Sequence, residues 1–152
     1  MLIMSFNVRG FGGAPKLLAL KELFCYVKLD VIFLQETMVG HLKAKDVFLK
    51  LFMSWSCVAV DVVGFFGGLL TSWNPLVGSF EASNIGLCIL LEGRVSCFSH
   101  FVSLLNCYGP YKDRAQLWMR VEASGVLRSY HLILGGDLNF TLNAMEVWGV
   151  KA

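Results

Sequence analysis

Charged side chains are scarce in this 152-residue sequence, and the shortage limits what the protein can be. Asp, Glu, Lys and Arg make up 16% of the residues, hydrophobic residues make up 56%, and the formal net charge is +2. This apolar composition excludes intrinsic disorder, and the length predicts one domain with a sizeable core. Because the charges nearly balance, charge alone gives no reason to expect a nucleic-acid partner.

An unbroken apolar run of the kind that crosses a bilayer is also missing. Residues 62–80 form the longest uncharged stretch, but four glycines, Asn74 and Pro75 interrupt it. A spanning helix needs about 20 predominantly apolar residues. The N-terminus lacks the charged and apolar segments of a signal peptide. We therefore predict an intracellular protein, nuclear or cytoplasmic, with no transmembrane helix and no membrane partner.

Paired cysteines and clustered histidines are absent as well. The cysteines are odd in number, without a CxxC pair, and have mostly apolar neighbours, which predicts buried, reduced thiols. They are Cys25, Cys57, Cys88, Cys97 and Cys107. Because the histidines are isolated, no zinc ligand set is visible, and no Ser or Cys nucleophile has a matching histidine.

The chain does contain short apolar runs separated by turn residues, which predict its helices and strands. We predict strands at 2–7, 30–37 and 131–136, and helices from Pro15 through Val27, at 42–53 and at 113–128. In the middle, strands are predicted near 55–60, 67–73, 86–91, 94–98 and 101–107. Helices at both ends of a β-rich centre indicate an α/β sheet assembly.

A glycine-rich loop, NVRGFGGAPK at 7–16, lies between the first predicted strand and helix, where phosphate-binding loops occur. A Walker A loop needs Gly before its Lys and Ser or Thr after it, but Pro15 and Leu17 occupy those positions. The dinucleotide fingerprint fails too, because its third glycine would fall on Pro15. We interpret the loop as a turn.

Polar, oxygen-bearing side chains recur where the predicted strands end. They are Asn7, Glu36, Tyr108, Asp137 and Asn139. Active sites of layered α/β folds gather at the carboxyl ends of strands, so these residues converge if their strands are neighbours. Each alone has a plainer interpretation as a turn residue, a solvated charge or a packing aromatic. The ordered set favours a site.

The residue types limit the chemistry of such a site. Two carboxylates and neutral amides suit Mg²⁺, which takes one or two carboxylate oxygens and keeps several waters. A metal there polarises a phosphoryl oxygen, and the second carboxylate positions or deprotonates the attacking water. The pattern therefore favours metal-assisted phosphodiester hydrolysis.

Five segments carry a resemblance to a known superfamily. They are SFNVRG, VIFLQET, GGLLTSWN, LNCYGPY and LILGGDLNF, of which the last is the most specific. Together they resemble the endonuclease/exonuclease/phosphatase superfamily over nearly the whole chain. NCYGPY and the tail FTLNAMEVWG are similar to the endonuclease domain of LINE-type (non-LTR) retrotransposons of plants. The resemblance implies a four-layered α/β sandwich and a Mg²⁺-dependent DNA endonuclease, with Mn²⁺ as a substitute cofactor.

The resemblance also implies a role for each residue at the strand ends. Glu36 matches the metal-binding glutamate, and Asn7 the asparagine near metal and phosphate. Tyr108 matches the tyrosine that contacts the phosphate. Asp137 matches the aspartate that orients or activates the water, and Asn139 the asparagine of the same motif.

One departure from the family pattern concerns the C-terminus. Family members continue to a Ser-Asp-His segment, whereas this chain ends at Ala152, and His41, His100 and His131 lie in no matching context. We therefore expect residues 1–152 to form a partial domain without the C-terminal strands. An exposed sheet edge is expected to allow self-association, and loss of a phosphate-contacting donor commonly lowers the rate about 10²–10³-fold.

Two other functions remain open at this stage. One is a catalytically dead remnant that serves as an interaction module, which differs from the nuclease in whether the downstream reading frame still encodes a Ser-Asp-His segment. The other is a phosphatase acting on phosphoinositides or small phosphate esters. A comparison of DNA and lipid phosphate substrates separates it from the nuclease.

Overall fold

Two four-stranded sheets form the centre of the molecule. The computed structural model describes residues 1–63, 66–110 and 113–139. The elements in chain order are β1 (Ile3–Asn7), α1 (Ala14–Val27), β2 (Val31–Gln35), α2 (His41–Leu51), β3 (Ser56–Val63), β4 (Phe66–Trp73), β5 (Gly78–Asn84), β6 (Cys88–Val95), β7 (Phe101–Tyr108), α3 (Arg114–Ala123) and β8 (Leu132–Asp137). A short 3₁₀ helix, Val126–Arg128, precedes β8.

Each sheet combines one parallel pair of strands with antiparallel neighbours. The first has the order β1-β2-β4-β3, and the second has the order β5-β6-β7-β8. The parallel pairs are β1 with β2 and β7 with β8. Since parallel strands run in one direction, their carboxyl ends meet at the same edge of each sheet.

Apolar side chains divide the molecule into four layers, as the resemblance implied. Leu20 and Phe24 of α1 and Phe48 of α2 pack on the outer face of the first sheet. Between the sheets the core includes Phe33 and Leu104. The outer face of the second sheet is covered mainly by α3, whose apolar side chains join a third buried cluster. A helix layer thus covers each outer face.

The central strands of the prediction were partly wrong. The predicted strands 86–91 and 94–98 are one strand, β6, because Gly93 continues the ladder instead of ending it. A Cβ at Gly93 would overlap the carbonyl of Ser79 on β5, so the glycine permits close strand pairing. The prediction missed β5, which is an exposed edge strand of mixed polarity.

The last predicted helix, 113–128, is shorter in the structure. It ends at Ala123, and Gly125 then adopts a left-handed conformation with φ +78°. Glycine takes that conformation without steric cost, so it ends the helix there. The first helix was predicted well, since Pro15 lies in the first turn of α1.

The prediction that all cysteines are buried was wrong for three of the five. Only Cys88 and Cys107 are buried, whereas Cys25 and Cys97 are exposed and Cys57 is intermediate. Cys88 and Cys107 face each other across β6 and β7 as free thiols, with sulfurs 2.8 Å apart. The hydrogen-bond interaction with the Cys88 thiol and burial raise the pKa of the Cys107 thiol well above its usual range, so it stays protonated.

No helix in the described part of the chain combines the length and apolar character needed to cross a membrane.

Candidate active site

Polar side chains converge where the parallel strands of both sheets end. In the first sheet, Asn7 at the end of β1 pairs with Gln35 at the end of β2, and Glu36 follows directly. In the second sheet, Tyr108 at the end of β7 pairs with Asp137 at the end of β8. Each sheet therefore presents two of the predicted site residues next to each other.

Two hydrogen bonds join these pairs across the gap between the sheets. The Asn7 amide Nδ2 donates to Oδ2 of Asp137 at 2.7 Å. The Tyr108 hydroxyl donates to Oε1 of Glu36 at 3.2 Å. Hydrogen bonds to charged groups typically contribute about 1.5–3 kcal/mol. The four residues thus form one cluster with a carboxylate on each sheet.

Glu36 occupies an unusual backbone position. Its φ is +53°, in the left-handed region that non-glycine residues rarely adopt. The glycine-rich loop, predicted to be a turn, fixes this segment: Val8 N donates to Gln35 O at 2.9 Å, and Gly10 N donates to Glu36 O at 2.6 Å. Backbone strain of this kind persists only where surrounding contacts hold it, and it is concentrated at functional sites.

Asn139 connects the ends of β7 and β8 instead of pointing at the other four residues. Its side-chain Nδ2 donates to the carbonyl of Gly109 at 2.7 Å, and its backbone N donates to Oδ1 of Asp137 at 3.2 Å. The structure therefore brings Asn7 into contact with Asp137 and Tyr108 into contact with Glu36, and Asn139 bonds to the strand ends beside Asp137.

The donor set fits a hard divalent cation. Glu36 is 7% exposed, and within the described residues no ion pair includes it. A buried carboxylate without a counter-charge is costly, so a cation beside it would relieve that cost. The described residues contain no cluster of three or more His, Cys, Asp or Glu that would hold a metal. One or two carboxylates with several waters suit Mg²⁺ rather than zinc.

Among the described residues, the hydrogen bonds and the ion pair of the histidines do not reach this cluster. His41 Nδ1 contacts Oδ2 of Asp61 at 2.7 Å near the start of α2. His100 and His131 stack with ring centroids 3.5 Å apart. They precede β7 and β8, at the opposite end from the cluster, since β7 is eight residues long and each residue adds about 3.3 Å.

Sequence reasoning missed a second set of polar residues beneath the cluster. Gln35, Thr71 and Asn106 are buried between the sheets and hydrogen-bonded to one another or to their neighbours. The available signal was weak, because an amide or hydroxyl inside an apolar run also fits a strand end or a turn. Their spatial relation to the cluster requires the tertiary structure.

Three solved structures with the same fold illustrate the similarity to known proteins. The match to the catalytic domain of Xenopus laevis APE2 covers 100% of this chain and 62% of the APE2 chain, with 16% sequence identity and a TM-score of 0.69. The match to D. rerio TDP2, complexed with a single-strand DNA product, covers 91% of this chain and 60% of the TDP2 chain. The sequence identity is 18% and the TM-score is 0.66. The match to the Neisseria 3′ phosphatase NExo, bound to a product DNA hairpin, covers 93% of this chain and 59% of the NExo chain. The sequence identity is 20% and the TM-score is 0.67.

At these identities the similarity establishes the fold alone. The chain spans about three fifths of the length of each structure. No curated protein matches the sequence. The sequence profile of the Endonuclease/Exonuclease/phosphatase family, in contrast, matches residues 4–151, nearly the whole chain. With that match and the shared two-sheet architecture, the chain belongs to the Endonuclease/Exonuclease/phosphatase family.

Proposed function

We propose that the protein hydrolyses phosphodiester bonds in DNA with Mg²⁺ as cofactor. The observation that supports this most is the pair of hydrogen bonds that connects Asn7 to Asp137 and Tyr108 to Glu36 across the two sheets. Enzymes of the family typically depend on a divalent metal. A DNA substrate is favoured because TDP2 and NExo, which share the fold, are complexed with DNA.

Each residue of the cluster has a distinct proposed role. Glu36, with Asn7 beside it, would hold the metal, which when bound polarises a phosphoryl oxygen and stabilises the leaving oxygen. The Tyr108 hydroxyl orients Glu36 and is positioned to contact a phosphate oxygen. The Asp137 carboxylate, held by the Asn7 amide, would accept a proton from the attacking water. Asn139 keeps Asp137 at the end of β8 through the bond to its Oδ1.

Plasmid nicking tests the proposal directly. We expect the purified chain to convert supercoiled plasmid to the nicked form in Mg²⁺ or Mn²⁺, and to be inactive in EDTA. A phosphoinositide and a small phosphate ester serve as alternative substrates in the same buffers. Faster release of phosphate from either than nicking of DNA would favour a phosphatase, whereas a folded sample inactive on every substrate would favour an interaction module.

Self-association through a strand edge is a second part of the proposal. Within the described residues, β1 and β8 are the outermost strands on one side and contact each other. Neither has a charged residue before Asp137, and Phe6 and Ile133 are 39% and 41% exposed. Natural sheet edges are normally protected by charge, proline or a cover. We therefore propose that a second copy pairs with this edge.

Light scattering at increasing protein concentration checks this prediction. We expect a dimer that Ile133→Lys converts to monomer, because a charge on the edge opposes strand pairing. Leu76→Lys, on an 88% exposed residue of the turn between β4 and β5, is the matched control. A wild-type chain that remains monomeric throughout would contradict the proposal.

The finer identity that we propose is a retrotransposon-derived, intracellular endonuclease. Support comes from the segments NCYGPY and FTLNAMEVWG and from the odd cysteine count without CxxC pairs. The second segment begins at residue 140, outside the described residues, so it contributes only as sequence. Numerous dispersed genomic copies of the coding sequence are expected, and a single copy would count against this origin.

A further inference from the structure

A layer of buried polar side chains lies directly beneath the candidate active site, in an otherwise apolar core. Gln35, Thr71 and Asn106 are 1%, 0% and 0% exposed. The Gln35 amide Nε2 donates to Oδ1 of Asn106 at 2.8 Å and to Oγ of Ser5 at 3.1 Å. Asn106 Nδ2 donates to Oγ1 of Thr71 at 3.1 Å and to the carbonyl of Leu70 at 3.2 Å. We call Gln35, Thr71 and Asn106 the amide layer.

The contacts of Gln35 join strands that carry candidate active-site residues, and those of Asn106 connect β7 to the central strand β4. Gln35 immediately precedes Glu36 on the chain. Asn106 lies two residues before Tyr108 on β7, and Ser5 lies two residues before Asn7 on β1. Since side chains repeat every two residues along a strand, these pairs share the inner face. The Gln35–Asn106 bond therefore crosses between the sheets next to the Tyr108–Glu36 bond.

Apolar packing alone does not fix the relative position of the two sheets, whereas these hydrogen bonds do. Hydrophobic contact is non-directional and tolerates small shifts between two sheet faces. A buried amide, in contrast, is costly unless its partners lie at hydrogen-bonding distance, which restricts the sheets to one relative position. Because the active site is divided between the sheets, a small shift would separate Glu36 from Tyr108.

We infer that Gln35, Thr71 and Asn106 are positioning residues that fix Glu36 and Tyr108 in the geometry that binds the metal. The metal-binding part of this inference rests on the proposed function. Partners that orient metal ligands typically change metal affinity or activity about 10–100-fold when they are removed. The amide layer acts through Glu36 and Tyr108 and touches neither metal nor substrate.

A triple variant separates positioning from folding. Gln35→Met, Thr71→Val and Asn106→Leu together remove every polar side chain of the layer while keeping its volume, and from the network they leave the exposed Ser5 hydroxyl and the backbone carbonyl of Leu70. Replacing all partners by apolar groups of the same shape is nearly neutral for stability. We expect the triple variant to melt within about 5 °C of wild type. Ser72→Ala is the matched control, because the Ser72 hydroxyl is buried on β4 and has no hydrogen-bond partner within the described part of the chain.

Two measurements then test the inference, one of them independent of any metal. Hydrogen exchange in EDTA at the amides of Gly10 and Gly109, which bond to Glu36 and Asp137, should accelerate about tenfold in the triple variant. Mn²⁺ affinity, measured by calorimetry, should fall about tenfold. The Ser72→Ala control should leave both unchanged.

Each outcome decides a separate question. Unchanged exchange at these amides in a folded triple variant would overturn the positioning role. Accelerated exchange with unchanged Mn²⁺ affinity would overturn the link to the metal. Accelerated exchange in a chain whose wild type binds no Mn²⁺ would leave the positioning role intact and reject the proposed function. If the triple variant fails to fold, the single variants Thr71→Val and Thr71→Ser replace it, because only Ser keeps the hydroxyl. Amide exchange that is accelerated in Thr71→Val alone supports the positioning role. Equal exchange rates in the two variants overturn it.

Discussion

Glu36→Gln and Asp137→Asn should each reduce Mg²⁺-dependent plasmid nicking by about 10²–10⁴-fold. Both substitutions keep the shape of the side chain and remove its negative charge. Gln at position 36 still offers an oxygen to the Tyr108 hydroxyl but no longer balances a divalent cation. Asn at position 137 can still contact Asn7 but cannot accept a proton from water.

The two variants should differ in their dependence on metal. Initial nicking rates measured against Mg²⁺ concentration should require much more Mg²⁺ in Glu36→Gln, because its defect is in metal binding. The nicking rate of Asp137→Asn should reach half of its maximum at the same Mg²⁺ concentration as wild type, but that maximum rate should be far lower. Asp46→Asn, an exposed carboxylate paired with Lys50 on α2, is the control and should nick at the wild-type rate. Wild-type activity in both active-site variants would reject the assignment of the site.

Gly136→Ala should destabilise the protein by about 4 kcal/mol, and this is the largest stability effect that we predict for a single methyl group. Gly136 has φ +138°, which side-chain-bearing residues rarely adopt. A Cβ there would also overlap the carbonyl group of Cys107, its partner on β7. Strain and overlap act together, so β8 would have to move away from β7.

Thermal unfolding followed by circular dichroism measures this effect. Gly125→Ala is the matched control: its φ is +78°, but among the described residues other than its chain neighbours no atom lies within 4 Å of the added Cβ. In the control, the free energy of unfolding should therefore fall only by the cost of backbone strain, about 1 kcal/mol. Equal melting temperatures for the two variants would mean that close approach of β7 and β8 is not what requires glycine at position 136.

The strand ends were predictable from sequence because each combines a local pattern with a local cause. An apolar run that stops at Asn7, Glu36 or Asp137 indicates a strand that ends at the surface, although only β2 is buried along its whole length. The hydrogen-bonded pairs that these residues form between the two sheets were not predictable in this way. Asn7 and Asp137 are 130 residues apart, and nothing in either segment determines which strand lies opposite. Only the resemblance to a family related them.

The errors have equally specific causes. The edge strand β5 was missed because its alternation is weak and it carries Gly78, Ser79 and Glu81. Cys25 was expected to be buried because its sequence neighbours are apolar, but on a helix adjacent residues point in different directions. The amide layer was not identified, since a buried Gln or Asn within an apolar run is distinguishable from a turn residue only when its partner is known.

Among the described residues, chain order separates the two sheets, because β1 to β4 end at Trp73 and β5 to β8 begin at Gly78. Asn7 and Glu36 therefore come from the first half of the polypeptide, and Tyr108 and Asp137 from the second. On a ribosome, the amino-terminal half emerges and can collapse while it holds only half of the catalytic groups. Under the proposed function, hydrolytic capacity would arise only after β8 has left the exit tunnel and the two sheets have docked.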